Sequence, residues 1–268
     1  MQARRWAARP MIGGAIYAEV MPYLRIGESD MYSEITGDGE PVLLLHGGWC
    51  SLESLRAQSD ALISDHRVAA FERPGHGRTA DIDGDYDYPG MVADTLAYLG
   101  TIGVPSAHIV GYSDGAIIGL LLALDHPERV RSLTAISANL DPSGFTDSPG
   151  TVLKPPRRAK EEGPDRERMH YDRLSPDGPE HADVVLAKLF RLWTTEPHIK
   201  PADLARITAP VLVMAGDRDT VRPDHTLLIA ASIPGAQLCL VPGTSHALVA
   251  ERPELISALI EDFLRSAQ

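Results

Sequence analysis

The sequence predicts an α/β protein in which a mostly parallel central sheet is covered on both faces by helices. Two observations carry this expectation. Short β-branched runs alternate with longer helix-period segments, the signature of strand–helix–strand units. The inner runs, PVLLLHG first among them, are wholly apolar, as strands buried on both faces must be. A chain of 268 residues, 44% hydrophobic, fills one large core and is short for two full-sized domains.

YLRIG and MYSEITG read as two opening strands, the second ending in the turn residues Gly37, Asp38 and Gly39. PVLLLHG follows, then a helix near Ser54 to Ser64 and the strand RVAAFE. A helix from about Pro89 to Ile102 precedes the strand HIVGY, and GAIIGLLLALDHPERV continues as an apolar helix that ends before Pro127. RSLTAIS, VLVMAG and QLCLVPG are three further strands, with a helix near Pro223 to Ile233 between the last two. ELISALIEDFLRS closes the chain as an amphipathic helix, with Glu254 in its first turn and Arg265 in its last to match the helix dipole.

One region breaks the alternation. Residues 139–200 are rich in Pro, Gly, Arg and Glu, and HADVVLAKLFRLW is their one convincing helical stretch. An insertion of that length predicts a small cap or lid over a core formed by residues 21–138 and 201–268. Residues 1–20 carry Arg4, Arg5 and Arg9 before a short apolar part, a poor secretory signal. They read as a loose extension, with Met21 an alternative start.

A formal charge of −12 opposes binding to nucleic acid, which needs a basic surface. No apolar run approaches the roughly 18 residues that would suggest a membrane span. Cys50 and Cys239 form no metal knuckle or redox pair, so a reducing, cytoplasmic setting is expected, with no metal and no cofactor.

The strongest motif is HIVGYSDGAIIGLLLALDHP, a strand, a G-x-S-x-G pentapeptide from Gly111 to Gly115, and a helix. Glycine at both ends allows a sharp turn that thrusts Ser113 above the sheet, and the helix start directs N–H groups toward developing negative charge. A plain helix cap at Ser113 would leave the downstream partners unexplained. His246, in the loop after the last strand, can reach Ser113 as its base. Asp219 in AGDRDTVRP is the carboxylate chosen to orient that imidazole, with Asp217 the neighbouring alternative and turn-former. LLLHGGWCS supplies one oxyanion donor, Gly48 ahead of Trp49, and the amide of Asp114 supplies the second. His46 reads as a structural hydrogen-bonding residue.

HGGW, ERPGHGRT, GYSDG, DHPERV, GDRDTVRP and GTSH, in that order, resemble the α/β-hydrolase superfamily over essentially the whole chain after residue 21. Within it the chain is most similar to the esterase, lactonase and cofactor-free perhydrolase branch, including valacyclovir-hydrolase-like enzymes with an S-D-G elbow. The resemblance implies an eight-stranded, mostly parallel sheet with a small cap inserted after RSLTAIS, and the chain order Ser, Asp, His. It also implies a fallback acid after the sixth strand, here Asp141. Serine at the elbow disfavours the aspartate-dependent dehalogenases and epoxide hydrolases. Glu72 stands where many relatives have aspartate.

The expected activity is cleavage of a small carboxylic ester or lactone through an acyl-serine. Peracid formation or C–C hydrolysis on the same triad, and a non-catalytic ligand-binding receptor, are the alternatives. Trp49, Asp114, Phe190 and Trp193 are candidate substrate contacts, with Leu52 and Leu192 as further apolar lining. Asp114 could read a substrate amine or merely suit a helix start. A partly apolar lid also offers a surface for a homo-oligomer.

Overall fold

The computed structural model describes residues 23–146 and 165–267; the expected extension 1–20 and the segment 147–164 of the expected cap lie outside the described residues. Eight strands form one sheet in the order β1-β2-β4-β3-β5-β6-β7-β8. They are β1 (Tyr23–Ile26), β2 (Ser29–Thr36), β3 (Glu40–Leu45), β4 (His66–Phe71), β5 (Ala107–Tyr112), β6 (Val130–Ile136), β7 (Val211–Gly216) and β8 (Gln237–Val241). β1 pairs with β2, and β2 with β4, antiparallel; every other pairing is parallel. The sheet is thus mostly parallel, as the apolar runs required.

Alternate residues feed two cores. Leu43, Leu45, Phe71, Ile109, Leu133 and Val213 face one side, where α2 (Tyr88–Thr101) and α3 (Asp114–Asp125) pack. Val42, Leu44, Val110, Ile136 and Met214 face the other, against α1 (Arg56–Leu62) and the C-terminal α8 (Pro253–Ser266). α3 is buried nearly all round, which is why its sequence, DGAIIGLLLALD, lacks a polar face. α8 instead buries only Ile256, Ser257, Ile260, Phe263 and Leu264, the one-sided stripe of a surface helix.

The insertion after β6 carries α4 (Arg166–Leu174) and α5 (Ala182–Thr195) before the chain returns to β7, α6 (Pro223–Ser232), β8 and the short α7 (Leu248–Glu251). α4 corrects the reading of a single helical stretch there. RERMHYDRL is too polar to show apolar periodicity, and buries only Tyr171, but Asp165 caps it by accepting from the Arg168 N–H. α5 packs Val185, Leu189 and Leu192 inward. Asp81 joins α5 to the core, accepting from Lys188 Nζ at 2.7 Å, His181 Nε2 at 2.9 Å and the Tyr86 hydroxyl. No helix among the described residues is long and apolar enough to cross a membrane.

Candidate active site

The site assembles at the C-terminal ends of the parallel strands, where side chains of sequence-distant loops converge. Ser113 directly follows β5 in a strained conformation, φ 54° and ψ −118°, with its N–H donated to Ile136 O at 2.8 Å. Only glycine fits at the two ends of the turn. A Cβ on Gly111 would lie 2.3 Å from Gly115 O, and one on Gly115 would lie 2.0 Å from Leu45 O. The pentapeptide therefore makes the elbow that the sequence predicted, and throws the serine side chain out of the sheet.

His246 lies between two partners. Its Nε2 is 3.0 Å from Ser113 Oγ, and its Nδ1 is 2.6 Å from Asp219 Oδ1. Because a carboxylate can only accept, Nδ1 carries the proton, which leaves Nε2 as the acceptor facing the serine hydroxyl. Tyr112 supports the histidine loop by donating its hydroxyl to His246 O at 3.0 Å. Asp219 is 1% exposed. Burial pushes its carboxyl up, but His246 and hydrogen bonds from Ser137 and the Val221 N–H hold it below the usual range.

The other two acids are elsewhere. Asp217 accepts from the N–H groups of Gly243 and Thr244, so it shapes the loop that carries His246. Asp141 accepts from Ser143 N–H at the start of a short 3-10 turn.

His46 and Arg73 organise the loop after β3. His46 Nε2 accepts from the Arg73 N–H at 3.1 Å, so Nδ1 bears the proton and donates to Gly47 O at 2.7 Å. The fully buried Arg73 guanidinium donates to His46 O at 2.8 Å and to Gly47 O at 3.0 Å. In a trans peptide the carbonyl and the following N–H point in opposite directions. With Gly47 O held by Arg73, the Gly48 N–H points away from that guanidinium. A Cβ at Gly48 would meet Asp114 Oδ2 at 2.4 Å and Trp193 Cζ2 at 2.7 Å, so this approach also demands glycine.

Of the candidate substrate contacts, Asp114 and Trp193 meet each other. Asp114 is 2% exposed; Oδ1 accepts from the Trp193 indole N–H and the Tyr88 hydroxyl, each at 3.0 Å. Burial pushes this carboxyl up, against the opposing pull of Arg73 and its two hydrogen-bond donors. Its surroundings are those of a buried carboxylate held by neutral hydrogen-bond donors. Trp49 adopts φ 59° and stacks on Tyr171 of α4, with ring centroids 4.8 Å apart. Phe190 is not brought to the site: it is 59% exposed, edge-on to Trp193, because it lies off the buried Val185–Leu189–Leu192 stripe of α5. Leu52 and Leu192 are buried packing residues. Glu72 accepts from Leu52 N–H, Arg78 N–H and the Arg78 guanidinium, bracing two loops without touching the triad.

Sequence reasoning missed Arg73, Tyr88 and Ser137. Arg73 lies inside the quoted ERPGHGRT motif, but nothing local marks it as facing the loop after β3; Tyr88 and Ser137 carry no separable signal.

Fold and site together define an α/β protein with a serine elbow, a bridging histidine and a buried carboxylate. The alpha/beta hydrolase family model matches residues 42–259, and the chain belongs to that family. It is 31% identical to "Putative carbamate hydrolase RutD" of Azorhizobium caulinodans, over 91% of this chain and 98% of that protein. It is 30% identical to rhodomycin D methylesterase DnrP of Streptomyces peucetius, over 90% of this chain and 96% of the relative. Among solved structures, the enol-lactonase of Burkholderia xenovorans LB400 superposes with a TM-score of 0.75 at 21% identity, covering 91% of this chain and all of that one.

Proposed function

We propose that this chain is a serine hydrolase that cleaves a small carboxylic ester or lactone through an acyl-Ser113 intermediate. The observation that carries the reading is the bridging position of His246, 3.0 Å from Ser113 Oγ and 2.6 Å from Asp219 Oδ1. As Ser113 Oγ attacks the carbonyl carbon, its proton passes to His246 Nε2, and Asp219 stabilises the resulting imidazolium. The carbonyl oxygen becomes an oxyanion that the N–H groups of Gly48 and Asp114 receive. Collapse expels the alcohol, which takes the proton from His246. Water then repeats the sequence, with His246 again as base, and releases the acid and free serine.

A carbamate presents the same kind of carbonyl electrophile, so the names of the relatives widen the substrate set without changing the mechanism. The test is labelling by an organophosphonate, followed by a panel of methyl esters, lactones and carbamates on wild type and Ser113→Ala. Labelling at Ser113 and a loss of about 10⁴ to 10⁶ in turnover are expected. Ester cleavage that survives Ser113→Ala would overturn the proposal.

A further inference from the structure

We propose that Ser137 is a positioning residue for the triad, aiming the Asp219 carboxylate at His246. This rests on the catalytic reading of Ser113, His246 and Asp219 given above. Ser137 directly follows β6 and is 2% exposed. Its Oγ donates to Asp219 Oδ2 at 2.5 Å, and its N–H donates to Met214 O on β7 at 2.8 Å.

The backbone at Ser137 is in the left-handed region, φ 58°. Among the described residues, Trp49 and Ser113 are the other non-glycine positions with positive φ; Trp49 lies in the loop after β3 and Ser113 directly follows β5. Such a conformation persists only where the surroundings over-determine it, and it concentrates at functional positions. A glycine would make the turn after β6 without that steric cost. It would not supply the hydroxyl.

That hydroxyl divides the work of the two carboxylate oxygens. Oδ1 accepts from His246 Nδ1 at 2.6 Å, from Val221 N–H at 3.0 Å and from the Thr220 hydroxyl at 3.2 Å, while Oδ2 receives Ser137. The terminal torsion of an aspartate has a broad, nearly two-fold energy profile, so contacts and not the rotamer must fix its plane. Ser137 sits just past β6 and is pinned to β7, the strand that leads into the Asp219 loop, and so fixes that plane from a rigid support.

The experiment compares Ser137→Ala and Ser137→Gly with wild type. Ala removes the hydroxyl and keeps the strained φ; Gly removes both. Both should lower kcat about tenfold with KM within about twofold. Both should shift the far-downfield proton resonance of the His246–Asp219 hydrogen bond. The acid limb of kcat/KM should move to higher pH, because a carboxylate with one donor fewer holds the imidazolium proton more tightly. Ser137→Gly should melt above Ser137→Ala yet be no more active. Wild-type kcat and an unmoved resonance in Ser137→Gly would reduce the hydroxyl to packing and overturn the proposal. The resonance is read in resting enzyme, so it answers this question even if Ser113→Ala proves fully active and the hydrolase reading fails.

Discussion

The indole N–H of Trp193 lies 3.0 Å from Asp114 Oδ1, which ties α5 to the residue that follows the proposed nucleophile, Ser113. The same ring roofs Gly48, the proposed donor on the opposite loop. The position of α5 and the loop at Gly48 are therefore coupled through one side chain. Trp193→Phe keeps most of the ring and loses the N–H. A loss of about tenfold in kcat/KM for a methyl ester is expected, the value of one hydrogen bond to a charged group. Unchanged kinetics would mean that packing alone seats the cap.

Arg73 holds the Gly47 carbonyl and so turns the Gly48 N–H away from its guanidinium. Lysine cannot reproduce the forked contact to His46 O and Gly47 O. Arg73→Lys should lower kcat by about ten- to a hundredfold, approaching the loss of a full oxyanion donor, with KM nearly constant. Steady-state kinetics beside a thermal melt separate this from simple unfolding: a kcat equal to wild type in a folded variant would contradict the orientation argument.

Three aspartates were candidates for the third triad position: Asp217 and Asp219 beyond β7, and Asp141 beyond β6. Asp219 faces His246, and Asp141 caps a short turn. Asp219→Asn should reduce kcat by about 10⁴, through the wrong imidazole tautomer. Asp141→Asn should stay within about twofold, since an amide oxygen can still accept from Ser143 N–H. The reverse ranking would transfer the role to Asp141.

Glu167, on α4, has its carboxyl pushed up to about 7 by burial first and by Asp165 second. In the unfolded chain it titrates near 4.5. Between those values the native state binds more protons than the unfolded state, so stability falls as pH rises through the window. Glu167→Gln has no such titration, and its melting temperature should gain on wild type between pH 4.5 and 8. Parallel melting curves for the two proteins would rule this out.

Much of the fold was legible because both kinds of element leave local periodic signals. All eight strands and the long helices α2, α3, α5, α6 and α8 lie within a few residues of where apolar runs and turn residues place them. α4 was not legible, because its polar sequence holds shape through a cap at Asp165 and the stacking of Tyr171 on Trp49. Phe190 shows the converse: an aromatic residue near a site in sequence, turned outward by the helical phase of α5.

The sequence by itself determined the serine elbow, since only glycine at 111 and 115 permits the close approach, and it placed His246 and Asp219 in the loops after β8 and β7. Which carboxylate faces His246, what holds the Gly47 carbonyl, and what Asp114 touches were decided by tertiary structure alone. Those choices depend on groups far apart in the chain, Ser137 with Asp219, Arg73 with Gly47, and Trp193 with Asp114. Hydrogen bonds of that kind form only once the sheet has brought its strand ends together, and they leave no period in the sequence to read.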